Sequence, residues 1–228
     1  MLTVIVPVYN EADILQKNQE YFQRLGGLCD LIFVDGCSRD QTLKWIPARA
    51  RVLTAPKNRA RQMNAGAAAA RQDVLLFLHA DAMIPEEYFQ KIEAAVQSGG
   101  SIGGCLSQVL DDPAWIYRWI ALTGNVRAKI FKIFYGDQGI FVRKDIFLSV
   151  GGFPEVKICE DILFTKRLRN AGNVGILPFP VICSARRWKR RGILKTFFVN
   201  ARITAALMLG AHPDRFSSLY SDEGKEPA

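Results

Sequence analysis

Over the first hundred residues, short and fully apolar runs alternate with stretches in which apolar positions recur every three or four residues. Residues 3–9 (TVIVPVY), 31–34 (LIFV), 51–54 (RVLT) and 74–78 (VLLFL) read as strands. The last is apolar at every position, which suits a central parallel strand covered on both faces. Between the first two, Ile14, Leu15, Phe22 and Leu25 share one helical face, with Asn10 as the N-cap and Asp13 three residues on. Ser38-x-x-Gln41 has the form of a capping box for a helix carrying Leu43 and Trp45, and residues 59–71 form an Ala-rich helix. Strands and helices alternating at this spacing predict an α/β protein with a doubly wound, mostly parallel sheet and helices on both faces.

The second half is less regular. Helices are expected over 85–97 and 160–171, strands over 101–110 and 138–142, and a final amphipathic helix over 193–209. The polar stretch from residue 216 to 228 reads as a tail, and no repeat or linker divides residues 1–215, so a single domain is expected. Its donor-binding half would cover about 1–100 and its acceptor-binding half about 101–215. Ligands of such sheets bind beyond the carboxyl ends of the strands, where the strand order reverses. That edge would collect Tyr9-Asn10-Glu11, Asp35-Gly36-Cys37-Ser38 and His79-Ala80-Asp81.

Composition narrows the class. The 228 residues carry a net charge of +8, which suits an anionic partner: a phosphate-bearing small molecule, nucleic acid or an acidic membrane face. Five scattered cysteines without a C-x-x-C spacing fit free thiols better than a disulfide framework or a zinc site. The apolar opening without a basic region reads as a strand, not a leader, and the most apolar late stretch contains Lys195, Asn200 and Arg202. A cytoplasmic protein is expected, at most peripheral to the inner face of the membrane. No recognisable module argues for nucleic acid.

Neither G-x-G-x-x-G nor G-x-x-x-x-G-K-[ST] occurs, which sets dehydrogenases and P-loop enzymes aside. What does occur, in order, is TVIVPVYNEA (3–12), FVDGCSRDQT (33–42), FLHADAM (77–83) and IFVRKDIFLSVGGFP (140–154), followed by Cys159-Glu160-Asp161 and Arg167-Leu168. This series resembles the family 2 glycosyltransferases of the A-type fold. The resemblance implies the GT-A, Rossmann-like architecture, a nucleoside-diphosphate sugar donor, a UDP-sugar first among them, and a divalent cation, Mn²⁺ or Mg²⁺. RARQMNAG, LHAD, GDQ-x-IFVR and ARRW further resemble a subgroup labelled arsenosugar-biosynthesis or radical-SAM-associated glycosyltransferases, whose name implies an arsenical acceptor.

On that resemblance, Pro7, Tyr9 and Glu11 belong to the loop that walls the nucleoside, and Asp35 accepts hydrogen bonds from base or ribose. The plainer role for Asp35 is to begin a turn with Gly36. Asp81 occupies the metal position of the family's D-x-D, with His79 where the first Asp is usual. His79 can contact the ribose, ligate a borderline metal, or simply end a strand. Arg59 and Arg61 lie near a helix N-terminus, apt for a diphosphate. Asp161, beside Glu160, is the expected catalytic base: inverting transfer needs one carboxylate for the acceptor's proton, whereas a glycoside hydrolase needs two flanking carboxyls. Asp137 and Gln138, with Arg187 and Trp188, are expected at the diphosphate or acceptor, and the other basic residues of 186–191 are expected to be solvated.

Residues 113–134 interleave Trp115, Trp119, Ile130, Phe131 and Phe134 with Arg127, Lys129 and Lys132, which suits either a membrane surface or a helix between core and pocket. Three other functions compete with a small-molecule transferase. They are a polyprenyl-phosphate or lipid glycosyltransferase, a non-catalytic nucleotide-sugar-binding protein and, more weakly, a nucleotidyltransferase.

Overall fold

The computed structural model describes residues 1–220. The elements run β1 (Thr3–Val8), α1 (Ala12–Lys17), α2 (Gln19–Leu25), β2 (Asp30–Asp35), β3 (Arg51–Thr54), α3 (Arg59–Ala69), β4 (Val74–Phe77), β5 (Ala82–Met83) and α4 (Phe89–Gln97). Then come β6 (Gly103–Leu110), α5 (Trp115–Phe131), β7 (Ile140–Arg143), α6 (Lys144–Ser149), α7 (Glu160–Ala171), β8 (Val174–Cys183), α8 (Arg186–Arg191), α9 (Ile193–Met208) and α10 (Ser217–Tyr220).

The strands form one sheet in the order β3-β2-β1-β4-β7-β6-β8-β5. β3, β2, β1 and β4 are parallel neighbours, β7 runs antiparallel between β4 and β6, and β8 is parallel to β6. Successive residues of each inner strand face opposite layers, as the strand period of two requires. Val4, Val6, Val8, Leu76 and Leu78 pack with Leu15, Phe22, Leu25 and Ile92 on one face. Ile5, Ile32, Val34, Leu75 and Phe77 meet Met63, Ala67, Phe147, Phe153 and Phe164 on the other. Helices thus cover both faces, as expected. A smaller cluster of Ile133, Ile162, Ile203 and Leu207 holds α9 on α7.

Chain order reverses between β1 and β4: β2 and β3 extend to one side and β4 lies on the other. The carboxyl ends of β1, β2 and β4 therefore share the edge predicted for a ligand.

Several local expectations are corrected. Asn10 does not cap a helix: it adopts a left-handed conformation, φ 52°, and its side-chain oxygen accepts from the Arg39 N–H. The first helix begins at Ala12 and breaks at Asn18, whose amide donates to Ala80 O. No capping box forms at Ser38 and Gln41, because the Ser38 hydroxyl is drawn to the Asp35 carboxylate and only a 3-10 turn, Thr42–Trp45, follows. β4 is central but not wholly parallel, since β7 pairs with it antiparallel. Gln138 lies in a 3-10 turn, Gly136–Gln138, and the strand starts at Ile140. The helix expected to be final is followed by a 3-10 turn, Pro213–Phe216, and α10, so the tail is helical as far as Tyr220; its remainder, 221–228, lies outside the described residues.

β8 was not anticipated, because Pro178 and Pro180 argue against a strand. Its pairing with β6 shifts register between Leu106 and Ser107. Where the two strands come closest, a Cβ on Gly104 would lie 1.8 Å from Gly175 O, so only glycine fits there.

Candidate active site

The loop after β2 clamps the loop after β1. Asp35, buried, accepts from the Ser38 N–H at 3.0 Å and from its hydroxyl. Ser38 Oγ accepts from Asn10 N–H, Thr42 Oγ1 from Glu11 N–H, and Asp40 Oδ2 from Ala12 N–H. The buried Gln62 amide of α3 donates to Val8 O and Val34 O, each at 2.8 Å, tying α3 to both strand ends. Asp35, Ser38, Asp40 and Thr42 thus fix the shape of the first loop. Tyr9 is half-buried within it, whereas Pro7, expected in the loop, is half-buried in β1, where it pairs with Val34; Lys57 Nζ sits 3.8 Å from the centre of the Tyr9 ring.

Glu11 and Asp81 are joined by Arg186, 3.3 Å from Glu11 Oε2 and 3.1 Å from Asp81 Oδ2. Burial pushes the Glu11 carboxyl above its usual range, while Arg186 pulls it back. Arg186 was expected to be solvated with its basic neighbours, so this ion bridge is a correction. The run of like charges from 186 to 191 concealed it, and Lys189 is likewise engaged, with Asp112 at 2.6 Å.

His79 and Asp161 converge on Gly136. A Cβ at Gly136 would lie 2.9 Å from His79 Nε2 and 3.5 Å from Asp161 Oδ2. Asp161 Oδ2 accepts the Gly136 N–H at 2.7 Å, and Oδ1 accepts its neighbour Ile162 N–H. His79 Nε2 is buried and has no hydrogen-bond partner among the described residues. Burial, then the charges of Arg59, Arg187 and Arg186, lower the His79 pKa to about 4 against the opposing pull of Asp81. The imidazole is therefore neutral at physiological pH.

Glu160, buried at the start of α7, faces Arg59 at 3.4 Å; burial raises its carboxyl, with Arg59 opposing and Asp161 adding. Arg61 lies apart from this pair and meets Glu155 at the surface, 2.7 Å away. Asp137 Oδ2 accepts from Gln108, whereas Oδ1 is buried without a hydrogen-bond partner among the described residues, and burial raises that carboxyl too. Gln138 is fully buried and spends its amide oxygen on Arg127 and Tyr135 N–H, so it holds the turn carrying Gly136 and Asp137. Nε and Nη2 of Arg187 are buried, and its charge is felt at His79, Asp137 and Cys159. Trp188 is half-buried and lines an open cleft of about 580 Å³ with Tyr117, Ile193, Leu194 and Lys195.

Among the described residues no three His, Cys, Asp or Glu side chains form a metal-binding group. Glu11 and Asp81 still offer two hard carboxylates across Arg186. One or two carboxylates suffice for an ion that completes its shell with phosphate oxygens and water, so the donor set fits a nucleotide-borne Mg²⁺ or Mn²⁺.

Comparison with known proteins gives the family and the fold. The profile of glycosyl transferase family 2 matches residues 3–147. The undecaprenyl-phosphate 4-deoxy-4-formamido-L-arabinose transferase of Pseudomonas aeruginosa strain PAO1 is 25% identical over 132 residues, 52% of this chain and 39% of that protein. The chain thus spans about two fifths of the length of the curated relatives it matches. The mannosyltransferase PcManGT of Pyrobaculum calidifontis, solved with GDP-Man and Mn²⁺, superposes at a TM-score of 0.63 and 20% identity, over 99% of this chain and 65% of its own. S. aureus TarS 1–349, solved with UDP-GlcNAc, gives 0.60 and 19%, over 80% and 58%. These likenesses show the fold, an A-type glycosyltransferase α/β sheet.

Proposed function

Because the chain belongs to glycosyl transferase family 2, we propose that it is an inverting glycosyltransferase that moves a sugar from a nucleoside-diphosphate donor to an acceptor hydroxyl. The observation that carries this reading is the meeting of Asp161 and a neutral His79 on Gly136, at the strand edge where such sheets bind ligands.

In this mechanism the clamped first loop, with Pro7, Tyr9 and Asp35, receives the nucleoside. Arg59 and Arg187 bring positive charge to the diphosphate. Asp81, with Glu11, would hold a divalent cation, which when bound neutralises charge on the departing diphosphate. His79 Nε2 presents a neutral polar atom to the donor. Asp161, its carboxylate held by two backbone N–H groups, takes the acceptor's proton as the acceptor oxygen attacks the anomeric carbon. Trp188 and the cleft beside it shape the acceptor pocket. A UDP-sugar is the first donor to test, and an arsenical hydroxyl compound is the acceptor the subgroup resemblance suggests.

A polyprenyl-phosphate acceptor is the second reading, favoured by the similarity to the undecaprenyl-phosphate transferase. Asp161→Asn separates catalysis from mere binding. Nucleotide-sugar affinity should stay within about twofold while turnover falls on the order of 10²–10⁴-fold. Full turnover in the variant would remove Asp161 as the base, and no donor hydrolysis or transfer by the parent protein would favour a binding protein.

A further inference from the structure

α5 is apolar on two opposite faces. Tyr117, Ile120, Ala121, Gly124 and Ala128 are buried against the sheet. Trp115, Trp119, Leu122, Val126 and Ile130 fall at i, i+4, i+7, i+11 and i+15, one continuous stripe on the far side. Every one of them is exposed, Trp115 by 74% and Ile130 by 64%. α9 repeats the pattern with the same spacing: Leu194, Phe198, Ala201, Ala205 and, just past its end, Leu209 are all exposed, Leu194 by 72% and Leu209 by 90%. The Trp119 and Phe197 rings lie 5.4 Å apart, so the two helices meet alongside their stripes. Scattered surface apolar residues need no explanation, but two aligned stripes with two indoles do.

The surrounding charge identifies the occupant. Neither α5 nor the α8–α9 segment contains an acidic residue, although the chain has 22. Beside the stripes stand Arg118 and Lys129 on α5, and Arg190, Arg191, Lys195 and Arg202 on α8 and α9. A second copy would set cation against cation. We propose that the α5–α9 face docks on an anionic lipid bilayer, with the apolar stripes in the acyl boundary and the basic residues at the headgroups. Leu194 belongs both to the stripe and to the cleft lined by Trp188, so the bilayer would lie at the mouth of that cleft. The surface itself does not depend on the donor chemistry.

Flotation with phosphatidylcholine vesicles containing about one third phosphatidylglycerol tests it, without nucleotide and with plain phosphatidylcholine as reference. The protein should float with the anionic vesicles, lose affinity as salt rises, and stay behind with the neutral ones. Trp115→Ser with Trp119→Ser should weaken binding at least about tenfold, as should Leu122→Gln with Val126→Gln, at unchanged circular dichroism and nucleotide affinity. Failure of the parent protein to float, or flotation indifferent to both double variants, overturns the proposal. So does a concentration-dependent dimer that the same substitutions dissociate, which would make the face a self-interface. Loss of donor binding with flotation intact would count against the catalytic reading alone.

Discussion

The depressed His79 pKa makes a quantitative statement about stability. In the unfolded chain the imidazole titrates near 6.5, and in the folded site near 4, because burial and then Arg59 disfavour its charge. Above pH 6.5 both states hold a neutral ring and the site's contribution is complete. Below it the unfolded chain gains a proton that the folded chain refuses, so stability is lost as pH falls toward 4. With these two pKa values the loss is on the order of 1 kcal/mol at pH 6 and about 2 kcal/mol at pH 5, and it levels off below pH 4. Glu11, Asp137 and Glu160 act in the opposite sense, since burial raises their carboxyls and protonation then favours the folded state. His79→Gln isolates the imidazole. Urea unfolding of both proteins at about pH 8, 6 and 5 should show the parent losing about 2 kcal/mol more than the variant over that range. A gap constant to within about 0.5 kcal/mol, or a titration above about pH 6 of the imidazole proton resonance that His79→Gln removes, would refute a neutral His79 and its role at the donor.

Two further perturbations test other parts of the structure. Arg186→Gln releases Glu11 and Asp81 and should tighten Mn²⁺ binding several-fold by calorimetry; the partly exposed ion bridge itself is worth no more than about 1 kcal/mol in an unfolding assay. Unchanged Mn²⁺ affinity would show that the cation and Arg186 do not share those oxygens. Gly104→Ala drives a methyl into Gly175 O and should cost about 3 kcal/mol or more in thermal unfolding, whereas Gly175→Ala, with no atom within 4 Å of its Cβ, should change stability by less than about 1 kcal/mol. Equal stability of the two variants would contradict the β6–β8 approach.

The parallel half of the sheet was legible because β1, β2 and β4 are apolar on both faces and separated by helices, a pattern set by neighbours in sequence. β8 was illegible for the converse reason: its two prolines deny it a local signal, and it exists because β6 lies ready to pair with it. The turn of residues 35–42 was recognisable as a motif, but its physical use, four side chains holding a loop some thirty residues upstream, depends on contacts that no spacing rule displays. Arg186 was lost in a basic run in which only its position opposite Glu11 and Asp81 sets it apart. Gln62 lay within the quoted RARQMNAG stretch, yet its hold on two strand ends is visible only once α3 is seated on them. The outer stripe of α5 was written in the sequence as plainly as the inner one; only packing distinguishes which of two apolar faces is covered.

The place of β7 and β8 on either side of β6 also governs how the chain is made. β1 to β4 are complete by residue 77, whereas β6 leaves the ribosome before either of its neighbours exists. β8 follows roughly 70 residues later, roughly 4–14 s at ordinary rates of synthesis. A chain stopped before residue 140 leaves β6 unpaired on both sides, and one stopped before 174 leaves its eight residues as an open edge. Such an edge is a template for another nascent chain, so the second half of this protein is born aggregation-prone.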